Sequence, residues 1–219
     1  MLENIETSKG TIVIHNEKVF QYGLKKIDLE ISKKNLLDFR EILLRHNIKF
    51  GLIYGTLLGA IREHNFIKHD EDTDVYILGE EREAFLESLA DFEKEGFIVG
   101  RYDEDALLSL VREDEYIDVY MFEKARFGNR IRRGQVIKEK YLSDTIEYNF
   151  LGKSFNVAKK YEEFLVYLYG EDWKIPKEDT PADTPIIRKR LAKYIKSSFP
   201  KLYHYLVNLR DFSHRFNTF

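Results

Sequence analysis

FGLIYGTLLGAIREHNFIKHDEDTDVYIL, residues 50–78, holds the residues whose types and spacing together require a chemical explanation. Residues 50–54 form a short apolar run of the kind that makes a buried strand. Gly55-Thr56 breaks it, and Leu57, Leu58, Ala60 and Ile61 then recur at helical spacing. The pattern predicts a strand, a turn and a helix N-terminus. Such an N-terminus presents unpaired N–H groups and the positive end of the helix dipole, here beside the Thr56 hydroxyl, and suits a phosphate. Further on, Asp70, Asp72 and Asp74 alternate with Glu71 and Thr73 and lead into the strand-like run Val75-Tyr76-Ile77-Leu78. On one strand, Asp72 and Asp74 would share a face with Cα atoms roughly 7 Å apart. Two carboxylates so placed suit a hard cation such as Mg²⁺. Taken singly, each half has a plain reading: an acidic run is usually a solvated loop, and Gly-Thr an ordinary turn. A calcium loop would put Asp70, Asp72, Asp74 and Glu81 at positions 1, 3, 5 and 12, but its sixth position needs Gly and here holds Val75.

A third acid gives the combination its weight. In YIDVYMF, residues 116–122, Asp118 is the single charge in an apolar and aromatic strand candidate, and burying it unpaired would cost several kcal/mol. If that strand lies beside the one from Thr73 to Leu78, Asp118 completes a carboxylate triad for metal-assisted phosphoryl chemistry.

Several separated motifs, in order, resemble the LicD and fukutin-related family. They are YGTLLGAIR at 54–62, Phe66-Ile67, DEDTDV at 70–75 and YIDV at 116–119. FLGK at 150–153 running to Val157, YEEFL at 161–165 and YGEDW at 169–173 continue the match. The resemblance spans roughly residues 29–176. It implies an α+β, nucleotidyltransferase-like fold, a mixed β-sheet flanked by helices, and transfer of a phospho-substituent of the phosphocholine or polyol phosphate type. The donor would be CDP-activated and the acceptor a sugar hydroxyl of a glycan or glycolipid. It also implies Mg²⁺, with Mn²⁺ as its substitute, on Asp72, Asp74 and Asp118, and donor phosphates facing Gly55, Thr56 and Arg62. Asp118 is the first candidate for activating the hydroxyl and Asp70 the second. Lys68, His69 and Glu71 depart from the family's usual residues. They flank the acids and bear on substrate identity more than on activity. Animal members can carry a cysteine-ligated zinc, which a chain without Cys cannot hold. Two rivals remain open: a nucleotidyltransferase that passes on the nucleotide itself, and a non-catalytic glycan- or nucleotide-binding module.

With 219 residues, 43% hydrophobic and 14% aromatic, the chain suffices for one sizeable core. A net charge of −3 gives no general signature for nucleic acid. Zero Cys suits a reducing compartment, MLENIETSKG has no apolar signal core, and no run approaches the ~18 apolar residues of a spanning helix. A cytoplasmic enzyme is expected. Three parts are expected too: an N-terminal extension (1–28) with a strand or hairpin around Thr11–Ile14, a catalytic domain (29–176), and a basic helical C-terminal segment (177–219). Residues 186–219 carry +7 and the remainder −10. That tail can rest on the inner face of an anionic membrane, or dock on its own domain or a second subunit. Helices are expected over 29–46 and 80–95, the second stopped by Gly96, and strands at 97–99, 106–111 and 116–122. Residues 124–140 read as a basic loop or hairpin, in which Arg132 and Arg133 are candidates for a donor diphosphate. Lys153 and Lys159 are weaker candidates. His64 and His69 flank the acids as surface residues, and Trp173 packs a helix end.

Overall fold

The computed structural model describes residues 4–15, 26–104 and 106–176. The segment 177–219, expected to be basic and helical, lies outside them.

Strands β1 (Asn4–Thr7) and β2 (Gly10–Val13) pair as an antiparallel hairpin that buries Ile5 and Ile12. Helix α1 (Leu29–Arg45) begins where the Asp28 carboxylate accepts from the amides of Glu30 and Ile31 at 3.0 and 3.1 Å. Asp28 is exposed, so Asp28→Ala removes little but the cap. It should lower stability by about 1 kcal/mol in chemical denaturation, with turnover unchanged. Helix α1 turns Leu36, Phe39, Ile42 and Leu43 inward, while Leu44, which the helical spacing places with Leu36, Ile42 and Leu43, is exposed.

Strand β3 (Phe50–Leu52) leads into α2 (Tyr54–Arg62), then β4 (Thr73–Leu78), a 3₁₀ turn (Gly79–Glu81) and α3 (Arg82–Lys94). Gly96, at φ 82°, reverses the chain after α3, while the Phe97 amide bonds back to the Phe92 carbonyl at 3.0 Å. There follow β5 (Ile98–Asp103), β6 (Leu107–Arg112), β7 (Glu115–Ala125), β8 (Asn129–Arg132), β9 (Gln135–Lys138), the short α4 (Lys140–Ser143), β10 (Thr145–Phe150), β11 (Lys153–Ala158) and α5 (Tyr161–Tyr169). The fold is α+β, and its central sheet is mixed. Strand order is β3-β4-β7-β6-β5, with β4 and β7 parallel and the other neighbours antiparallel.

The outer half of β7 leaves this order to pair with β8, which pairs in turn with β9. Residues 124–140 are therefore a sheet extension, the hairpin alternative of the sequence reading.

Side chains alternate across a strand, and the sheet separates its two faces accordingly. Phe50, opposite Ile77, meets Phe39 of α1 edge-on at 5.3 Å. Phe39 also contacts Phe85 and Phe92 of α3. One face of β4 is thus covered by α1 and α3. Asp74 and Tyr76 look the other way, where the Tyr76 hydroxyl donates to the Leu142 carbonyl of α4 at 2.8 Å. The acids lie on this second face. Among the described residues, no helix is long and apolar enough to cross a membrane.

Candidate active site

A row of side chains crosses four strands. Asp74 of β4 stands opposite Asp118 of β7, Asp118 opposite Ser109 of β6, and Ser109 opposite Arg101 of β5. Residues in register share a face, so this row joins Asp118 to Asp74 on one side of the sheet. Both acids are nearly enclosed, at 5% and 3% exposure. The register of β5 slips by one residue between Val99 and Arg101, a bulge at Gly100. Without that slip Gly100 would face Ser109 and Arg101 would lie on the opposite face. Arg101 instead reaches one Asp118 oxygen at 2.9 Å and the Ser109 hydroxyl at 3.1–3.2 Å, and Ser109 donates to the other Asp118 oxygen.

A second group is built from a loop. Asp70, Asp72 and Asp74 each bring a carboxylate oxygen within 4.8 Å of the other two. Asp72 meets Asp74 through a bend and not by strand alternation, because β4 begins at Thr73. Residues 68–72 fold over the strand end instead. The Ile27 amide holds the Asp70 carbonyl at 2.8 Å, and the Asp70 side chain accepts from the Glu71 amide at 3.1 Å. Asp118 lies outside this group of three.

The start of α2 is fitted to these acids. The Gly55 amide donates to the Asp74 carboxylate at 2.9 Å, and the Thr56 hydroxyl accepts from the Asp74 amide at 2.8 Å. These two bonds wind the helix from Tyr54, three residues earlier than expected from Leu57, with Tyr54 at φ 45°. Thr56 is 1% exposed, so its observed work is to fix Asp74. A Cβ on Gly55 would lie 2.2 Å from an Asp70 oxygen and 3.2 Å from Asp74.

On the rim, the Tyr54 and Tyr120 rings meet edge-on at 4.9 Å, and the Arg132 guanidinium lies over Tyr120 at 4.5 Å. Gln135 accepts from Tyr54 at 2.6 Å and from Arg132 at 2.8 Å, while Arg132 Nε is buried without a hydrogen-bond partner. The Tyr120 hydroxyl lies beside Asp74 and favours its charged form. Arg133, at the hairpin tip, pairs with Asp103 at 3.2 Å. Arg62 is directed to Glu63 and the Trp173 carbonyl, at 2.9 and 3.2 Å. Trp173 is 6% exposed and packs as the sequence reading has it. His64 meets Tyr148 at the surface at 3.5 Å.

Arg101, Ser109, Tyr120 and Gln135 are absent from the sequence reading. Nothing local marks Arg101, Ser109 and Gln135, which a bulge, a strand register and a hairpin turn bring in, whereas Tyr120 stands two residues past Asp118 on β7 and shares its face by alternation. Burial, and after it the charges of Asp74 and Asp70, raise the Tyr169 hydroxyl of α5.

Burial raises all four acids, and crowding adds to it at Asp72 and Asp74. Burial and then the charges of Asp118 and Asp70 push Asp72 up to about 8. Asp74 is held well above the usual range by burial and by Asp72, Asp70 and Asp118, and burial raises Asp70. Asp118 is raised by burial although Arg101 and Ser109 pull against it. An acid raised in the fold keeps a proton that the unfolded chain has already lost. Its effect on stability is therefore best below the ordinary value of 3.8 and worsens as pH climbs toward 8. Without divalent ions, Tm should fall between pH 5.5 and 8. Saturating Mg²⁺ should flatten that slope and release protons on binding, readable by calorimetry in two buffers. The donor set, three oxygen ligands in reach of one point, fits a hard divalent cation.

The sequence profile described as LicD/FKTN/FKRP, nucleotidyltransferase domain, matches residues 47–160, more than half of the chain. The chain belongs to the LicD family. An uncharacterized Rickettsia prowazekii protein, RP689, is 27% identical over 162 residues, 73% of this chain and 56% of that protein. Its counterpart in Rickettsia typhi, RT0683, is 26% identical over 73% of this chain and 48% of its own length. This LicD-family chain thus spans about half the length of these two relatives. The lipopolysaccharide cholinephosphotransferase LicD of Haemophilus influenzae is 43% identical over 68 residues, 29% of this chain and 26% of that enzyme. Among solved structures, the antibiotic-resistance factor ANT(2'')-Ia is similar in fold, with TM-score 0.50 at 13% identity, over 87% of this chain and 98% of that one.

Proposed function

We propose that this LicD-family protein is a divalent-cation-dependent transferase that moves a phospho-substituent, of the phosphocholine or polyol phosphate type, from a CDP-activated donor to a sugar hydroxyl of a glycan. The observation that carries this is the Asp70, Asp72 and Asp74 group, with oxygens within 4.8 Å of one another and Asp118 on the neighbouring strand.

Asp70, Asp72 and Asp74, with Asp70 in place of the Asp118 that the resemblance implies as third ligand, would hold Mg²⁺ or Mn²⁺, which would neutralise charge on the transferred and leaving phosphates. The remaining roles belong to the protein. Asp118 takes the proton of the acceptor hydroxyl as its oxygen bonds to phosphorus, the bond from phosphorus to the CMP oxygen breaks, and CMP departs. Asp118 suits this because burial leaves its carboxylate more basic than an ordinary aspartate. Arg132, whose Nε has no partner and whose head rests on Tyr120, is the cation best placed to meet the donor's diphosphate. Gly55 and Thr56 act indirectly, by fixing Asp74.

The test is CMP release from CDP-choline, CDP-glycerol, CDP-ribitol and CDP-ethanolamine, with and without Mg²⁺. One of them should give cation-dependent CMP. The family's nucleotidyltransferase domain favours one rival, transfer of the nucleotide itself, and pyrophosphate release from a nucleoside triphosphate would establish that rival instead. No metal-dependent cleavage of any donor would leave a binding module.

A further inference from the structure

The Gly100 bulge changes the site: it turns Arg101 onto the face that carries the acids. Arg101 and Ser109 then engage the two oxygens of Asp118 separately, whereas Asp70, Asp72 and Asp74 converge on one another. The four carboxylates are therefore of two kinds, three with oxygens within 4.8 Å of one another and one whose two oxygens are each held by a neighbour, Arg101 and Ser109.

We propose that Arg101 is a positioning residue, which with Ser109 holds Asp118 in one orientation for the acceptor hydroxyl and keeps it out of the cation-holding group of Asp70, Asp72 and Asp74. This rests on reading that group as a cation site. Its consequence separates affinity from rate. Removing the guanidinium takes a positive charge from beside the acids and frees Asp118 to swing toward them, so a divalent ion binds more tightly while the hydroxyl loses its fixed base.

The experiment measures Mn²⁺ binding by electron paramagnetic resonance on the full chain, in parallel with CMP release from the donor found above. The wild type should bind Mn²⁺. Arg101→Met should bind it roughly tenfold more tightly, because a nearby cation no longer repels it. The same variant should lose about 100-fold in kcat with KM for the donor little changed, as befits a misplaced group. Arg101→Lys restores the charge without the two-pronged grip. It should bind Mn²⁺ within about twofold of wild type yet remain about tenfold slower.

The inference is overturned if Arg101→Met binds Mn²⁺ no more tightly than a wild type that does bind it. Full kcat in Arg101→Lys overturns it as well, and that variant decides the matter should the Met variant fail to fold. Absence of Mn²⁺ binding by the wild type is a different failure, that of the cation site itself.

Discussion

Asp74→Asn should lose turnover by roughly 10³-fold, the rate equivalent of several kcal/mol of lost charge stabilisation at the transferring phosphate. Asp74 is the residue on which the site's parts converge. It accepts from the Gly55 amide, lies beside the Tyr120 hydroxyl, belongs to the group of three acids and stands opposite Asp118. Asn keeps the shape and one accepting oxygen but removes a buried charge from among three others. The fold should consequently survive, and in the absence of divalent ions its Tm should be equal to the wild type's or higher, since repulsion has been relieved. The rise in Tm that Mg²⁺ gives the wild type should vanish. Thermal unfolding with and without Mg²⁺, beside CMP release, reads all three outcomes. A variant that keeps full activity removes Asp74 from the chemistry.

Gly55→Ala should cut turnover by about 100-fold without damaging the helix that carries it. The added Cβ would sit 2.2 Å from an Asp70 oxygen and 3.2 Å from Asp74. Because the nearer atom ends a side chain, Asp70 can move aside, and the fold yields there at small cost. What it loses is the place of one carboxylate in the group. Ala is a better helix residue than Gly by up to about 1 kcal/mol, so backbone preference favours the variant. Stability near wild type with weak Mn²⁺ binding and slow CMP release is the expected pattern. Unchanged kcat would show that Asp70 has no place in the reaction. An ordinary turn glycine would give the opposite pattern, lower stability with activity per folded molecule intact.

Both variants test residues that could be read from the chain itself. Asp70, Asp72, Asp74 and Asp118 stand out because acids that border or interrupt apolar strand runs need a reason, and Gly55 because it stands between a strand pattern and a helical pattern. The apolar stripes of α1 and α3, the Gly96 stop and the strands β4, β6 and β7 were legible for the same reason: each is a local periodicity or a local backbone requirement. Boundaries were less so. The winding of α2 from Tyr54 depends on Asp74, far along the chain, donating its amide to Thr56 and accepting that of Gly55.

By itself the sequence determined which residue types the site has to work with, the α+β class, and the family through motifs kept in order. Tertiary structure alone decided how they divide. Asp70 joins Asp72 and Asp74 because a loop folds over a strand end, and Asp118 is claimed by Arg101 because one extra residue at Gly100 shifts β5 by a single place. Side-chain direction on a strand has a period of two, so a one-residue slip moves an arginine from one face of the sheet to the other. Pairing between strands sets that slip, and no periodicity within β5 records it.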